Sequence, residues 1–192
     1  MSQPQHAMPD PVVEETRAWV NHAVIGLNLC PFAKAPQIKG LVRYVHSAAT
    51  DPAALLADLV NELERLAEAS PDKIETTLLI HPGVLGNFAD YNDFLALAED
   101  TVAELDLEGV IQVASFHPDY QFEGSAPDDI ENATNRSPFP ALHLLREDSI
   151  DKAVAAFPDA QAIYETNIET LQKLGAEGWA ALQQQCRDDA GR

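Results

Sequence analysis

Four histidines sit in or at the end of short apolar runs: His46 closes "LVRYVH", His81 closes "TTLLIH", His117 follows "VASF", and His143 lies inside "ALHLLR". A neutral imidazole ligates Zn, Fe, Cu or Ni, and its ordinary pKa of about 6.5 suits proton transfer near neutrality. If these runs are strands of one open sheet, the first three histidines stand at the carboxyl rim, where ligands of such sheets bind. An antiparallel last strand would start at that rim and bring His143 to it. The candidate site is therefore His81, His117 and His143 as acid–base groups or ligands, with His46 beside them. A divalent transition metal is the cofactor such a cluster could share. The competing reading makes each histidine a boundary residue bonded to nearby backbone, and no compact His-x-x-x-His spacing argues against it.

Other chemistry-bearing residues lie close by in sequence. Past His117, Asp119 and Glu123 could supply oxygen ligands and Tyr120 a phenolic donor. In "NATNRSPFP", Arg136 offers a planar fork for a carboxylate or phosphate, and Asn135 can hydrogen-bond a substrate, which points to a small, anionic ligand. The rival reading has the Asn and Ser side chains serving turns while Arg136 ties down an acidic neighbour. Cys30 ends the first helical stretch, with His22 and Gly26 on the same helical face, so a thiol–imidazole pair is conceivable. Its neighbours Leu29, Pro31 and Phe32, and the helix C-terminus, favour a buried inert thiol instead. Arg146 and Glu147 read as a structural ion pair.

The elements that must position these groups are legible from punctuation and period. Asp10-Pro11 and Asp51-Pro52 each combine an N-cap with a first-turn proline, predicting helices over residues 10–29 and 51–69. Helical spacing also marks residues 88–105, and strands are predicted over 40–46, 74–80, 110–116 and 141–146. Strand–helix–strand–helix–strand order predicts parallel pairing with right-handed connections. The expected fold is a single α/β domain over residues 10–187: a mainly parallel sheet of about four strands, the last antiparallel, covered by helices. Residues 117–140 form a long Pro-, Asp- and Asn-rich loop, a length that is commonly functional. Helical segments after Ser149 are split by Pro158 and Gly175, and residues 1–9 and 188–192 read as tails.

Composition narrows the partners. The chain carries 31 Asp and Glu against 12 Lys and Arg, a net charge of −19, so phosphate backbones and anionic lipids are repelled and nucleic acid is not an expected partner. No apolar run is long enough to cross a bilayer, and the first residues show no secretory pattern, which together predict a cytoplasmic protein with no membrane partner. Cys30 and Cys186 are expected as reduced thiols. Phosphate-binding, dinucleotide-binding and Gly-x-Ser-x-Gly patterns are absent. "HPGVLGNF" could cradle an anion or be a plain tight turn.

The segments "GLNLCPFAKAP", "LLIHPGVLGNFADYNDFL", "SFHPDYQFEG" and "NRSPFPALHLLRE" together resemble the bacterial family known as domain of unknown function 1415, over about residues 10–175. The resemblance implies a single cytosolic domain in which the His and Cys segments belong to the family pattern. It implies no catalytic residues, since the family carries no established activity. The expected function is a small-molecule enzyme with a histidine-lined, metal-assisted site, or else a ligand-binding or regulatory protein using residues 117–140.

Overall fold

Each Asp-Pro pair opens a helix as its chemistry requires: Asp10 accepts a hydrogen bond from the Val12 amide and Asp51 from the Ala54 amide, both at 2.9 Å. The computed structural model describes residues 9–156 and 160–191. The first half comprises helix α1 (Pro11–Trp19), short helix α2 (Lys34–Ile38), strand β1 (Val42–His46), helix α3 (Pro52–Glu68), strand β2 (Thr76–Ile80) and helix α4 (Phe88–Glu104). Strands β3 (Ile111–Phe116) and β4 (Ala141–Arg146) and helices α5 (Glu147–Ala156) and α6 (Ala160–Ala190) complete it. A π-helical turn, Val20–Ile25, continues α1, and a 3-10 turn, Ile130–Asn135, interrupts the long loop before β4.

The four strands form one sheet in the order β1-β2-β4-β3. β1 and β2 pair in parallel, and β4 is antiparallel to both of its neighbours. Three strands thus run one way, but they are not contiguous, because the last strand is inserted between β2 and β3. Composition explains the position. "TTLLI" and "ALHLLR" are apolar enough for central strands covered on both faces, whereas "IQVASF" leaves Gln112 exposed and suits an edge.

The crossovers β1–α3–β2 and β2–α4–β3 move laterally in the same direction, so the right-handed rule places both helices on one face of the sheet. There Leu55, Leu59, Leu63 and Leu66 of α3 and Phe94 of α4 pack on Leu79, Leu142 and Leu144. The opposite face is covered by α1, the π-helical turn and α6, with Trp19, Ala23, Leu171 and Trp179 against Leu78, Ile80 and Ala141. Alternation along each strand therefore sorts side chains between two cores.

Arg146 departs from the expected ion pair. Its guanidinium donates to the carbonyls of Leu66 (2.7 Å), Ala69 (2.6 Å) and Ile74 (3.0 and 3.2 Å), tying the C-terminal end of α3 to β4. α6 is kinked at Gly175 (φ 67°) and stays helical to Ala190, past the expected boundary at 187. Residues 1–8 of the expected tail and the predicted break at Pro158 lie outside the described residues. Among the described residues, no helix is long and apolar enough to cross a membrane.

Candidate functional site

Pro82 lacks an amide hydrogen, so the β1–β2 ladder ends with the Ser47 amide donating to the Ile80 carbonyl at 2.8 Å. The chain then enters "HPGVLG". His81 and His117, the residues following β2 and β3, both turn to the α3/α4 face and flank Tyr91, with ring centroids 5.8 and 5.0 Å from it. Neither imidazole is solvent-accessible. His81 Nδ1 donates to the Val84 carbonyl and His117 Nε2 to the Leu85 carbonyl, each at 3.1 Å. Two buried imidazoles therefore grip consecutive carbonyls of one loop. Leu85 sits there at φ 58°, a left-handed conformation that costs a branched side chain roughly 1–2 kcal/mol. Gly83 approaches so closely that a Cβ would lie 2.8 Å from the Ala49 carbonyl oxygen. Asn87, accepting from the Ala89 and Asp90 amides, then starts α4.

The contacts fix the tautomers. His117 Nδ1 accepts from the Asp119 amide at 3.0 Å, so all its polar capacity is used. His81 carries its proton on Nδ1, which leaves Nε2 a bare, buried acceptor without a hydrogen-bond partner. Burial pushes the His81 pKa down to about 4, and the neighbouring His117 adds to the depression while the Val84 carbonyl opposes it. His117 is also lowered by burial, against the pull of the Leu85 carbonyl and Asp119. Both rings are neutral at pH 7. Beside the loop, a groove of about 670 Å³ is lined by Thr50, Pro82, Leu85, Asp90, Asp93 and Phe94 among others.

Tyr91, central to this arrangement, has a committed hydroxyl. It donates to the Ala141 carbonyl at 2.8 Å and accepts from the Phe116 amide at 3.1 Å, bridging the end of the β3–β4 ladder. Burial raises its pKa far above the usual phenol range. The residue's place on a helical stripe marks it as core, and nothing in the sequence distinguishes it further.

The expected convergence of four histidines is corrected by strand parity. His46 and His143 point to the α1/α6 face, away from His81 and His117. His46 Nδ1 contacts the Asp10 carboxylate at 2.8 Å and so fastens the start of α1 to β1. His143 is not at the rim; it lies in mid-strand, opposite Leu78 and Ala114. Its Nε2 donates to the Thr76 hydroxyl at 2.7 Å, which in turn donates to the Leu144 carbonyl. Burial pushes its pKa to about 4. Among the described residues, no three His, Cys, Asp or Glu side chains are grouped to hold a metal ion.

The long loop is organised from within. Arg136 donates from Nε to the Tyr120 carbonyl (3.1 Å) and from Nη2 to the Pro127 carbonyl (2.6 Å), while Asn135 donates to the Ser115 carbonyl at 3.3 Å. The fork read as an anion clamp thus spends two nitrogens on its own loop. Asn132, expected with its Asn and Ser neighbours either to serve turns or to bond a substrate, is fully buried: it accepts from the Phe122 amide and Ser125 hydroxyl and donates to the Ala126 carbonyl. Its place in an Asn-rich segment gave it no distinguishing signal. Tyr120 packs between Phe88 and Phe122 at centroid distances of 5.3 and 5.0 Å.

Cys30 is half-buried, and burial pushes its thiol pKa up while the Phe32 and Ala33 amides only partly oppose this. The expected helical face through His22, Gly26 and Cys30 does not form. The π-helical turn and Asn28 at φ 55° intervene, and His22 Nε2 pairs with Asp189 Oδ2 at 2.8 Å.

Comparison with known proteins adds one finding. The family model described as "Protein of unknown function (DUF1415)" matches residues 11–181. No curated protein and no solved structure matches the chain.

Proposed function

We propose, from the premise that the chain belongs to the DUF1415 family, that it binds a small molecule at the rim built by His81, His117 and the 82–86 loop. One observation carries the proposal: a neutral, buried imidazole whose Nε2 has no partner, beside a His117 whose two ring nitrogens are both bonded. Leaving such an acceptor unpaired costs on the order of 1–3 kcal/mol, which a ligand donor reaching it would recover. The ionic groups of the adjoining groove are Asp90 and Asp93, so it suits an uncharged or cationic polar ligand rather than the anion expected from Arg136. A cytosolic setting accords with two free thiols, Cys30 and Cys186.

A catalytic reading rests on the same nitrogen. Ligand entry that loosens the 82–86 loop would rehydrate His81 and lift its pKa toward the ordinary value, making Nε2 a usable base. The metal-assisted version is not carried forward, because His46 and His143 face away from His81 and His117.

The test uses His81→Asn, whose amide can keep the donation to Val84 while removing the Nε2 acceptor. A thermal-shift screen against small polar and cationic metabolites should yield ligands that raise the wild-type melting temperature but not that of the folded variant. Turnover of such a ligand would select the catalytic reading. Ligands that stabilise both proteins equally would remove His81 from the site and the proposal with it.

A further inference from the structure

β1 is an edge strand, and its free side is bare backbone. The Glu75 amide donates to the Leu41 carbonyl and the Ser47 amide to the Ile80 carbonyl, so the odd-numbered residues of this segment turn their backbone groups to β2. Val42, Tyr44 and His46 must then direct their amides and carbonyls outward, and among the described residues no backbone bond reaches them. Such an edge is a template for another strand.

Next to it lies a groove of about 780 Å³ between the end of β1 and the outer surface of α3. Its walls carry Asp58, Glu62, Glu64 and Glu68, against Arg65 and, at the end of β1, His46, which contacts the Asp10 carboxylate. Glu62 is already held by Arg43, through contacts of 2.6 and 2.9 Å. Asp58 accepts from the Ser47 hydroxyl at 2.6 Å, and Glu64 and Glu68 are exposed. A strand laid along β1 would turn every second side chain toward these carboxylates.

We propose that the free edge of β1 docks an extended segment of a partner protein, by strand addition, with Lys or Arg at alternate positions facing the α3 groove. Main-chain bonds to Val42, Tyr44 and His46 supply the attachment, and Asp58, Glu64 and Glu68 select the charge. Charge also argues against a second copy as occupant. Two chains of net charge −19 would bring two acidic grooves together.

The probe is a fluorescently labelled nonapeptide of alternating Lys and Thr, read by anisotropy against the full chain. A second peptide of the same sequence, N-methylated at alternate residues, carries the same charge but cannot complete a ladder. The unmodified peptide should bind about tenfold more tightly than the methylated one, and its affinity should fall about tenfold in the Glu64→Lys/Glu68→Lys double variant. Both changes lie on the exposed side of α3, so the fold is spared. Val42→Pro, at the first position of an edge strand where proline is tolerated, should weaken it likewise. Equal binding of the two peptides would reduce the interaction to charge attraction and overturn the proposal. So would the absence of binding at millimolar peptide. Self-association seen by sedimentation and abolished by Val42→Pro would give the edge to a second copy instead.

Discussion

Acidification should destabilise this protein through two histidines rather than through its many carboxylates. The ordinary imidazole pKa is 6.5, and burial lowers it to about 4 for both His81 and His143. Between these values the unfolded chain binds protons that the folded one refuses, so stability rises with pH across about 4 to 6.5. The contribution is complete above pH 6.5 and is lost as pH falls toward 4. For one such group, moving from pH 7 to 4.5 costs the folded state about 2.4 kcal/mol by proton linkage. His81 has no exposed surface and should show nearly all of it, whereas His143 keeps part of its surface in water and should show about 1–2 kcal/mol. Acidification also relieves repulsion within a chain of net charge −19, which pushes the other way, so the wild-type curve alone does not isolate the effect. Variants do. His81→Asn can retain the bond to Val84 and His143→Gln the bond to Thr76, and neither titrates. Urea unfolding at intervals from pH 7 to 4.5 should show the wild type losing about 2 kcal/mol more than His81→Asn and about 1–2 kcal/mol more than His143→Gln. Parallel curves for wild type and variants would mean that these imidazoles are not neutral and buried, and the account of the rim would fail.

Four smaller tests probe the surrounding structure. Tyr91→Phe removes the hydroxyl that links the Phe116 amide to the Ala141 carbonyl, and should cost about 2 kcal/mol in urea unfolding. Arg146→Met leaves the carbonyls of Leu66, Ala69 and Ile74 without their donor, for a loss of about 3 kcal/mol by the same assay. Gly26→Ala would place a Cβ 2.2 Å from the His22 carbonyl oxygen and should unwind the π-helical turn, lowering stability by roughly 1–3 kcal/mol. Cys30, its thiol raised by burial, should alkylate at pH 7 more slowly than a free thiol, with a rate that keeps climbing above pH 9.

Helix starts and strand positions were legible because their causes are local. Asp10-Pro11 and Asp51-Pro52 act within four residues, and all four strands fall inside the predicted segments to within two residues at each end. The site was less legible because facing is decided by pairing. "TTLLI" is buried on both sides, so its polarity gives no alternation from which to assign His81 to a face. Once β1 is aligned with β2, the answer is forced: His46 shares parity with Val42 and Tyr44, and His81 shares it with Thr77 and Leu79. The π-helical turn had no pattern to betray it, since "VNHAVIG" reads as ordinary helix until the close approach at Gly26 is known. Arg136, expected to hold an anionic ligand or an acidic neighbour, and Arg146, expected to pair with Glu147, share one feature. In so acidic a chain a carboxylate partner is the obvious expectation, yet both guanidiniums answer carbonyls that turns and a helix end leave open.

The topology gives a reason for histidines to gather at this loop. Both crossovers leave on the same side, so the sheet has no point where successive connections diverge and open a crevice between them. A pocket at this rim has to be made by a loop held off the sheet, and "HPGVLG" is held by means that cost stability: a left-handed Leu85, a glycine pressed on the Ala49 carbonyl, and two imidazoles taken out of water. A plain turn between β2 and α4 would need none of these. Leucine or phenylalanine at 81 and 117 would fill the same space around Tyr91 without desolvating a ring nitrogen, but could not grip the carbonyls of Val84 and Leu85. The grip therefore accounts for His117 completely and for His81 by half. What it leaves over is the one nitrogen, Nε2 of His81, on which a ligand would act.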